Sequence, residues 1–223
     1  VPFVAKARGI PIAKIAAKIM TGDLLENIIT DNDHKKLKTF NVKESVFPFN
    51  KFEGVDLILG PEMKSTGEVM GIDSTFLSAF AKSQIACGTI LPSKGKVFIS
   101  IDDDNKKFIL TIVKKLISLN FIIVATKGTV KFLNDHNLKV ETINKVKEGG
   151  SHIVKAISDN QIDLVINTTK TQGSIRDSYS IRRTSLTFNV PYYTTIAGAK
   201  VAVDTIEHLK NNNLKVKSLQ DLI

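Results

Sequence analysis

Residues 121–133 read FIIVATKGTVKFL. Five apolar residues, Phe121 to Ala125, run straight into Thr126-Lys127-Gly128-Thr129, after which an apolar pattern resumes at helical spacing. A short apolar strand that stops on hydroxyls, a glycine and a lysine where a helix starts predicts a strand–turn–helix unit. The same rhythm extends in both directions. Upstream, KVFISI (96–101) is a strand and KKFILTIVKKLISLN (106–120) a helix with Phe108, Ile109, Ile112, Val113, Leu116 and Ile117 on one face. Downstream come GTVKFLNDHN (128–137) as helix, LKVETI (138–143) as strand, HIVKAISDN (152–160) as helix and DLVINT (163–168) as strand. SIRDSYSIRRTSLTFN (174–189) follows as one helix, PYYTT (191–195) as a short strand and AGAKVAVDTIEHLKNN (197–212) as the last helix. Strands alternating with helices require right-handed crossovers and a parallel sheet covered on both faces, so the fold class is α/β and Rossmann-like.

The first part of the chain has a different texture. Residues 10–20 place Ile12, Ala13, Ile15, Ala16, Ile19 and Met20 on one helical face, with Pro11 suited to the first turn. From Asn41 to Asp73 short apolar runs alternate with Gly, Pro and Asn, which predicts strands and turns. A helix then spans Phe76 to about Ala86. CGTILPSKGK (87–96) is the linker, and the boundary is set at Pro92, giving parts of 1–92 and 93–223.

The chain has 223 residues, 43% of them hydrophobic, enough for two modest cores. No apolar run approaches the ~18 residues of a membrane span, and Lys6, Arg8, Lys14 and Lys18 interrupt the first twenty residues. The missing initial Met points to a piece of a longer polypeptide. One cysteine, Cys87, excludes an internal disulfide framework and fits a reducing cytoplasm. A net charge of +9 is compatible with anionic partners, yet the lysines are scattered without a block of like charge. That argues against a nucleic-acid or membrane surface, and leaves a solvated basic face first and a small-anion site next.

Ligands of open parallel sheets bind beyond the carboxyl ends of the strands. The residues there are Ser100, Thr126 to Thr129, Asn167 to Thr169 and Tyr192 to Thr194, with Lys106 and Lys145 in reach. Nearly all are hydroxyls or amides. Such a set holds an anion better than it breaks a bond: hydroxyls and first-turn N–H groups donate to phosphate oxygens, Gly128 permits close approach, and lysine adds charge. Thr and Gly are equally ordinary helix caps. Asp102-Asp103-Asp104-Asn105 lacks EF-hand spacing and reads as a turn capping the next helix. His34, His136, His152 and His208 have no metal-spaced partner. Arg176, Arg182 and Arg183 read as an anion clamp or a salt-bridged helix face. GxGxxG and Walker A patterns are absent, against dinucleotide or NTPase chemistry.

VPFVAKARGIPIAKIAAKIM (1–20), SVFPFNKFEGVDLILGPEMKSTGEVMG (45–71), ATKGT (125–129), INKVKEG (143–149), INTT (166–169) and IRDSYSIRR (175–183) resemble, in order and over essentially the whole chain, the C-terminal end of carbamoyl-phosphate synthase large chains. The resemblance implies that residues 1–92 are the α+β remnant of the second ATP-grasp unit, whose magnesium-holding Glu and Asn would precede residue 1. It implies that residues 93–223 are a methylglyoxal-synthase-like regulatory domain. Carried over by position, it assigns Ser100, Lys106, Thr126, Thr129, Lys145, Asn167 and Thr169, supported by Asp177, to a UMP- or IMP-type effector. Glu44, Tyr192 and Thr194 fall on an ornithine-type site. No catalytic or metal-binding residue is implied here, and no cofactor; ATP and magnesium or manganese belong to the complete ligase. The implied partners are the rest of the large chain, the glutaminase small chain and further copies of the chain, in a cytoplasmic enzyme of pyrimidine and arginine biosynthesis. Two other readings share these residues: a methylglyoxal-synthase-type lyase using Asp177 as base, and a pure assembly module.

Overall fold

The computed structural model describes residues 1–29, 38–51, 59, 61–144, 152–170 and 172–221. The chain divides into two compact units, one of residues 1–46, 67–88 and 213–223, the other of residues 47–66 and 89–212.

In the first unit, α1 (Pro2–Arg8) stops at Gly9, whose φ of 67° is left-handed, and α2 (Ile12–Met20) follows. β1 (Phe40–Val46) pairs antiparallel with β2 (Gly67–Asp73), Phe40 facing Asp73 and Val46 facing Gly67. α3 (Phe76–Ala86) is capped by Thr75, whose side chain accepts from Ser78 N, and lies on the hairpin. Gly71 is required there: a Cβ on it would stand 1.9 Å from the Ala79 carbonyl oxygen.

The second unit holds a five-stranded sheet in the order β5-β4-β3-β6-β7, every pair parallel. Its strands are β3 (Gly95–Ser100), β4 (Phe121–Ala125), β5 (Glu141–Thr142), β6 (Leu164–Asn167) and β7 (Tyr192–Tyr193). Between and after them run α4 (Lys106–Ser118), α5 (Lys127–Asp135), α6 (Ile153–Ser158), α7 (Gln172–Asp177), α8 (Tyr179–Thr187) and α9 (Ile196–Asn211). Alternation along the strands divides the core. Val97, Ile99, Leu164 and Ile166 meet Ile109, Ile112, Leu116, Val203 and Ile206 of α4 and α9 on one face. Phe98, Val124 and Val165 meet Ile153, Ile157 and Ile181 of α6 and α8 on the other.

One device recurs. α4, α5, α6 and α8 are each followed by an asparagine in the left-handed region, Asn120, Asn137, Asn160 and Asn189, with φ between 53° and 64°. After α5, α6 and α8 the next residue's N–H bonds back to the carbonyl of Leu133, Ala156 or Ser185, closing a Schellman turn that sends the chain into the following segment.

Three expectations change. The strand foreseen over 138–143 is only Glu141–Thr142, because it is an edge strand touching β4 alone. The helix foreseen over 174–189 is two, broken at Ser178. Arg182, read as part of an anion clamp or a salt-bridged helix face, is 1% exposed, and its Nη2 donates to the Ile175 carbonyl at 3.0 Å. That supplies a partner for a carbonyl at the end of α7, where the helical ladder stops.

Candidate functional site

The sheet reverses its strand order at β3: the chain leaves β3 for β4 on one side and later lays β6 on the other. Loops leaving adjacent strands in opposite directions open a crevice beyond their carboxyl ends. Ser100 ends β3, Thr126 follows β4 and Asn167 ends β6, with Ser100 and Asn167 register partners. The crevice has two lobes, of about 480 and 350 Å³, which share Ser100, Ile101, Asp102, Thr126 and Ser174. Ligand pockets typically enclose roughly 300–1,000 Å³.

The wall formed by α5 is built from buried hydroxyls. Thr126 Oγ1 lies 3.5 Å from Ser100 Oγ and 3.4 Å from Thr129 Oγ1, which accepts from Ile101 N at 3.2 Å. Thr126 stands at the N-cap position of α5, yet its side chain makes no capping bond. Its hydroxyl joins the cluster instead, leaving the positive end of the helix without that side-chain acceptor. Lys106 reinforces it: Nζ lies 4.0 Å from where a Cβ on Gly128 would stand. Lys106 is paired with Asp103 at 2.6 Å, and Lys170, across the crevice, is paired with Asp104.

Asp102 ties the opposite loops together. Its Oδ2 accepts from Thr168 Oγ1 at 2.5 Å and from Asn105 Nδ2 at 2.7 Å, while its N–H donates to Thr168 Oγ1 at 3.1 Å. Burial by itself raises the Asp102 carboxyl, and the hydrogen bonds from Thr168 and Asn105 outweigh it, holding the pKa below the usual aspartate value. The group is a fixed anion and a strut between the loops.

On the β6 wall Asn167 is 1% exposed and its Nδ2 donates to the Tyr192 hydroxyl at 2.9 Å. Asn167 Oδ1 has no hydrogen-bond partner among the described residues. A buried carbonyl left so costs about 1–3 kcal/mol, a penalty that a ligand donor would relieve.

Ser100, Lys106, Thr126, Thr129, Asn167, Thr169 and Asp177 thus surround the two lobes. Lys145 lies outside the described residues. Tyr192 touches the crevice through Asn167, and Thr194 lines a neighbouring hollow with Asp102, Thr169 and Lys170. Glu44 is engaged within the first unit, accepting from Gln84 Nε2 at 2.7 Å, Ser83 Oγ at 3.0 Å and Cys87 Sγ at 3.1 Å. Thr168, within the strand-end run Asn167 to Thr169, lines the crevice too, and so do Asp102, Lys170 and Ser174, whose place in it sequence reading passed over. Asp102 was legible as a cap and is one, accepting from Asn105 N at 3.3 Å; its reach to Thr168, 66 residues away, carries no local signal. His152, which has no metal-spaced partner, caps α6 by accepting from Lys155 N. The described residues contain no group of three or more His, Cys, Asp or Glu placed to hold a metal.

The family described as MGS-like domain matches residues 108–194, which take in strands β4 to β7 of this sheet. The large chain of carbamoyl phosphate synthase from Mesorhizobium japonicum is 49% identical over 225 residues, 99% of this chain and 19% of its own length. The carbamoyl phosphate synthase large chain, C-terminal section, of Methanocaldococcus jannaschii is 44% identical over 232 residues, 100% of this chain and 38% of its own. A solved methylglyoxal synthase from Elizabethkingia anophelis is 20% identical, with a TM-score of 0.39 over 51% of this chain and 79% of that one. The chain belongs with the carbamoyl phosphate synthase large chains, corresponding to their C-terminal region. It spans about a fifth of the length of the full large chains it matches. No described helix is long and apolar enough to cross a membrane.

Proposed function

We propose that the crevice binds nucleoside monophosphates of the UMP or IMP type and that, in a complete large chain, this binding regulates a carbamoyl-phosphate-forming ligase. The observation that carries the reading is the convergence of three hydroxyls, an N-cap threonine that does not cap, and the Lys106 ammonium on the first turn of α5. Each of these favours a phosphate, and the β6 wall leaves a second lobe for the nucleoside. Asp177 and Thr169 line that lobe, and Lys145 is proposed to join them as a further cation.

The wider assignments rest on the resemblance of the sequence to carbamoyl-phosphate synthase large chains. Glu44, Tyr192 and Thr194 are proposed to contribute to an ornithine-type site. ATP with magnesium or manganese, the glutaminase chain, self-association, a cytoplasmic setting and a role in pyrimidine and arginine supply are proposed for the complete enzyme. Residues 1–92 are proposed as the end of its second ATP-grasp unit and 93–223 as its effector domain. Regulation requires that the nucleotide bind two states of the enzyme unequally, and whatever it does to the ligase is returned as a change in its own affinity.

Thermal unfolding with UMP, IMP and ornithine tests the binding step. Saturation at about a hundred times Kd stabilises the fold by about 2.7 kcal/mol. Thr126→Val with Thr129→Val is expected to abolish the nucleotide shift with the fold retained. No shift with either nucleotide, or an unchanged shift in the double variant, overturns the reading. Because Asp177 lines the crevice, dihydroxyacetone phosphate is assayed alongside; methylglyoxal formation lost on Asp177→Asn would replace the effector reading with a lyase.

A further inference from the structure

Resting on that reading, we infer that Tyr192 is a positioning residue of the nucleotide crevice, acting through Asn167 to discriminate the nucleoside part of the ligand. Asn167 ends β6 and Tyr192 begins β7, the strand beside it. The Asn167 amide donates to the Tyr192 hydroxyl at 2.9 Å, which fixes the plane of an otherwise rotatable amide. With Nδ2 committed, the other end of the group is an acceptor. It is almost wholly buried in the lining of the crevice, and no described residue donates to it. An acceptor held in this way selects a ligand that brings an N–H or O–H donor to the β6 wall. The phosphate end of the ligand is held elsewhere, at α5 and Lys106.

Two features separate this role from mere packing. Tyr192 is only partly buried, and Tyr192→Phe keeps its ring against the core while removing the hydroxyl alone. The bond also crosses between residues 25 apart in the chain, so it fixes one strand end against another rather than capping its own turn. Whatever engages the Tyr192 hydroxyl from outside therefore acts on the orientation of Asn167.

The test is calorimetric titration of the full chain and of Tyr192→Phe, Asn167→Ala and the double variant with inorganic phosphate, ribose 5-phosphate, UMP and IMP. Tyr192→Phe is expected to weaken nucleotide binding by about fivefold, the worth of one ordinary hydrogen bond, and to leave inorganic phosphate within about twofold. The double variant is expected to bind nucleotide no worse than Asn167→Ala alone, since the tyrosine acts only through the amide. If ribose 5-phosphate shows the same sensitivity, the donor is a sugar hydroxyl; if only the nucleotides do, it is a base N–H. Nucleotide affinity unchanged in Tyr192→Phe overturns the inference while leaving the effector site intact. Parallel loss of phosphate and nucleotide overturns it too, as a general effect of the substitution. A parent chain that binds neither phosphate nor nucleotide removes the effector reading and this inference together.

Discussion

Two helices with equally clear apolar faces behave differently. α4 in the second unit buries Ile109, Ile112, Val113 and Leu116, whereas α2 in the first unit buries none of its residues and leaves Met20 87% exposed. Periodicity fixes that a segment is helical and which face is apolar; it does not say what covers that face. α4 finds its cover in the sheet and in α9, contacts its own unit supplies. α2 does not find it among the described residues.

The largest expected effect separates the two faces. Leu116→Ala, at a fully buried position, is expected to cost about 3 kcal/mol in denaturant unfolding. Ile19→Ala on α2 is expected to change stability by less than about 0.5 kcal/mol. Equal losses would mean that α2 is covered after all. The first unit is not loose throughout, however. Gly71→Ala drives a methyl group into the backbone of α3 at Ala79 and Ser83, and about 2 kcal/mol of destabilisation is expected, visible as faster amide exchange in β2 and α3.

Ion pairs give a smaller and shared effect. Asp73 pairs with Lys82 at 2.7 Å in the first unit, and Asp204 with Lys115 at 2.6 Å in the second. Burial alone raises both carboxyls, and hydrogen bonds from their lysines prevail, so both are held below the ordinary aspartate value of 3.8 in the folded chain. A carboxyl depressed in the folded state contributes stability that is present above its unfolded pKa and lost as pH falls through its folded one. Stability is therefore expected to fall as pH drops through the ordinary aspartate range and below it, and to fall less in Asp204→Asn than in the parent. Lys115 is raised, chiefly by its bonds to Asp204 and Glu207, so its contribution persists until pH exceeds the ordinary lysine value of 10.5. An acid profile identical in parent and variant would break the assignment. Smallest of all, Asp104→Asn frees Lys170 at the rim of the crevice and is expected to tighten inorganic phosphate binding by about twofold.

Much of the α/β unit was legible because each level of its sequence agrees with the next. FIIVA gives a strand, TKGT the N-cap and first turn of α5, and the four asparagines at 120, 137, 160 and 189 stand where the helices were expected to end. What was not legible depends on distance. The short edge strand at Glu141–Thr142 and the break at Ser178 follow from sheet position and from Arg182, whose burial nothing local announces. The site divides in the same way. Ser100, Thr126, Thr129 and Asn167 were found because strand ends converge by topology, whereas Asp102 with Thr168 and Asn167 with Tyr192 join loops far apart in sequence. Lys127 lines the crevice at the first residue of α5, beside the hydroxyls that interrupt FIIVATKGTVKFL.

The central claim concerns that interruption, and calorimetric titration of UMP and IMP into the full chain and into Thr126→Val/Thr129→Val tests it most directly. Saturable binding of at least one nucleotide, competed by inorganic phosphate and lost in a double variant that still unfolds cooperatively, is the predicted result. No saturable heat with the parent chain, or equal affinity in the variant, contradicts it.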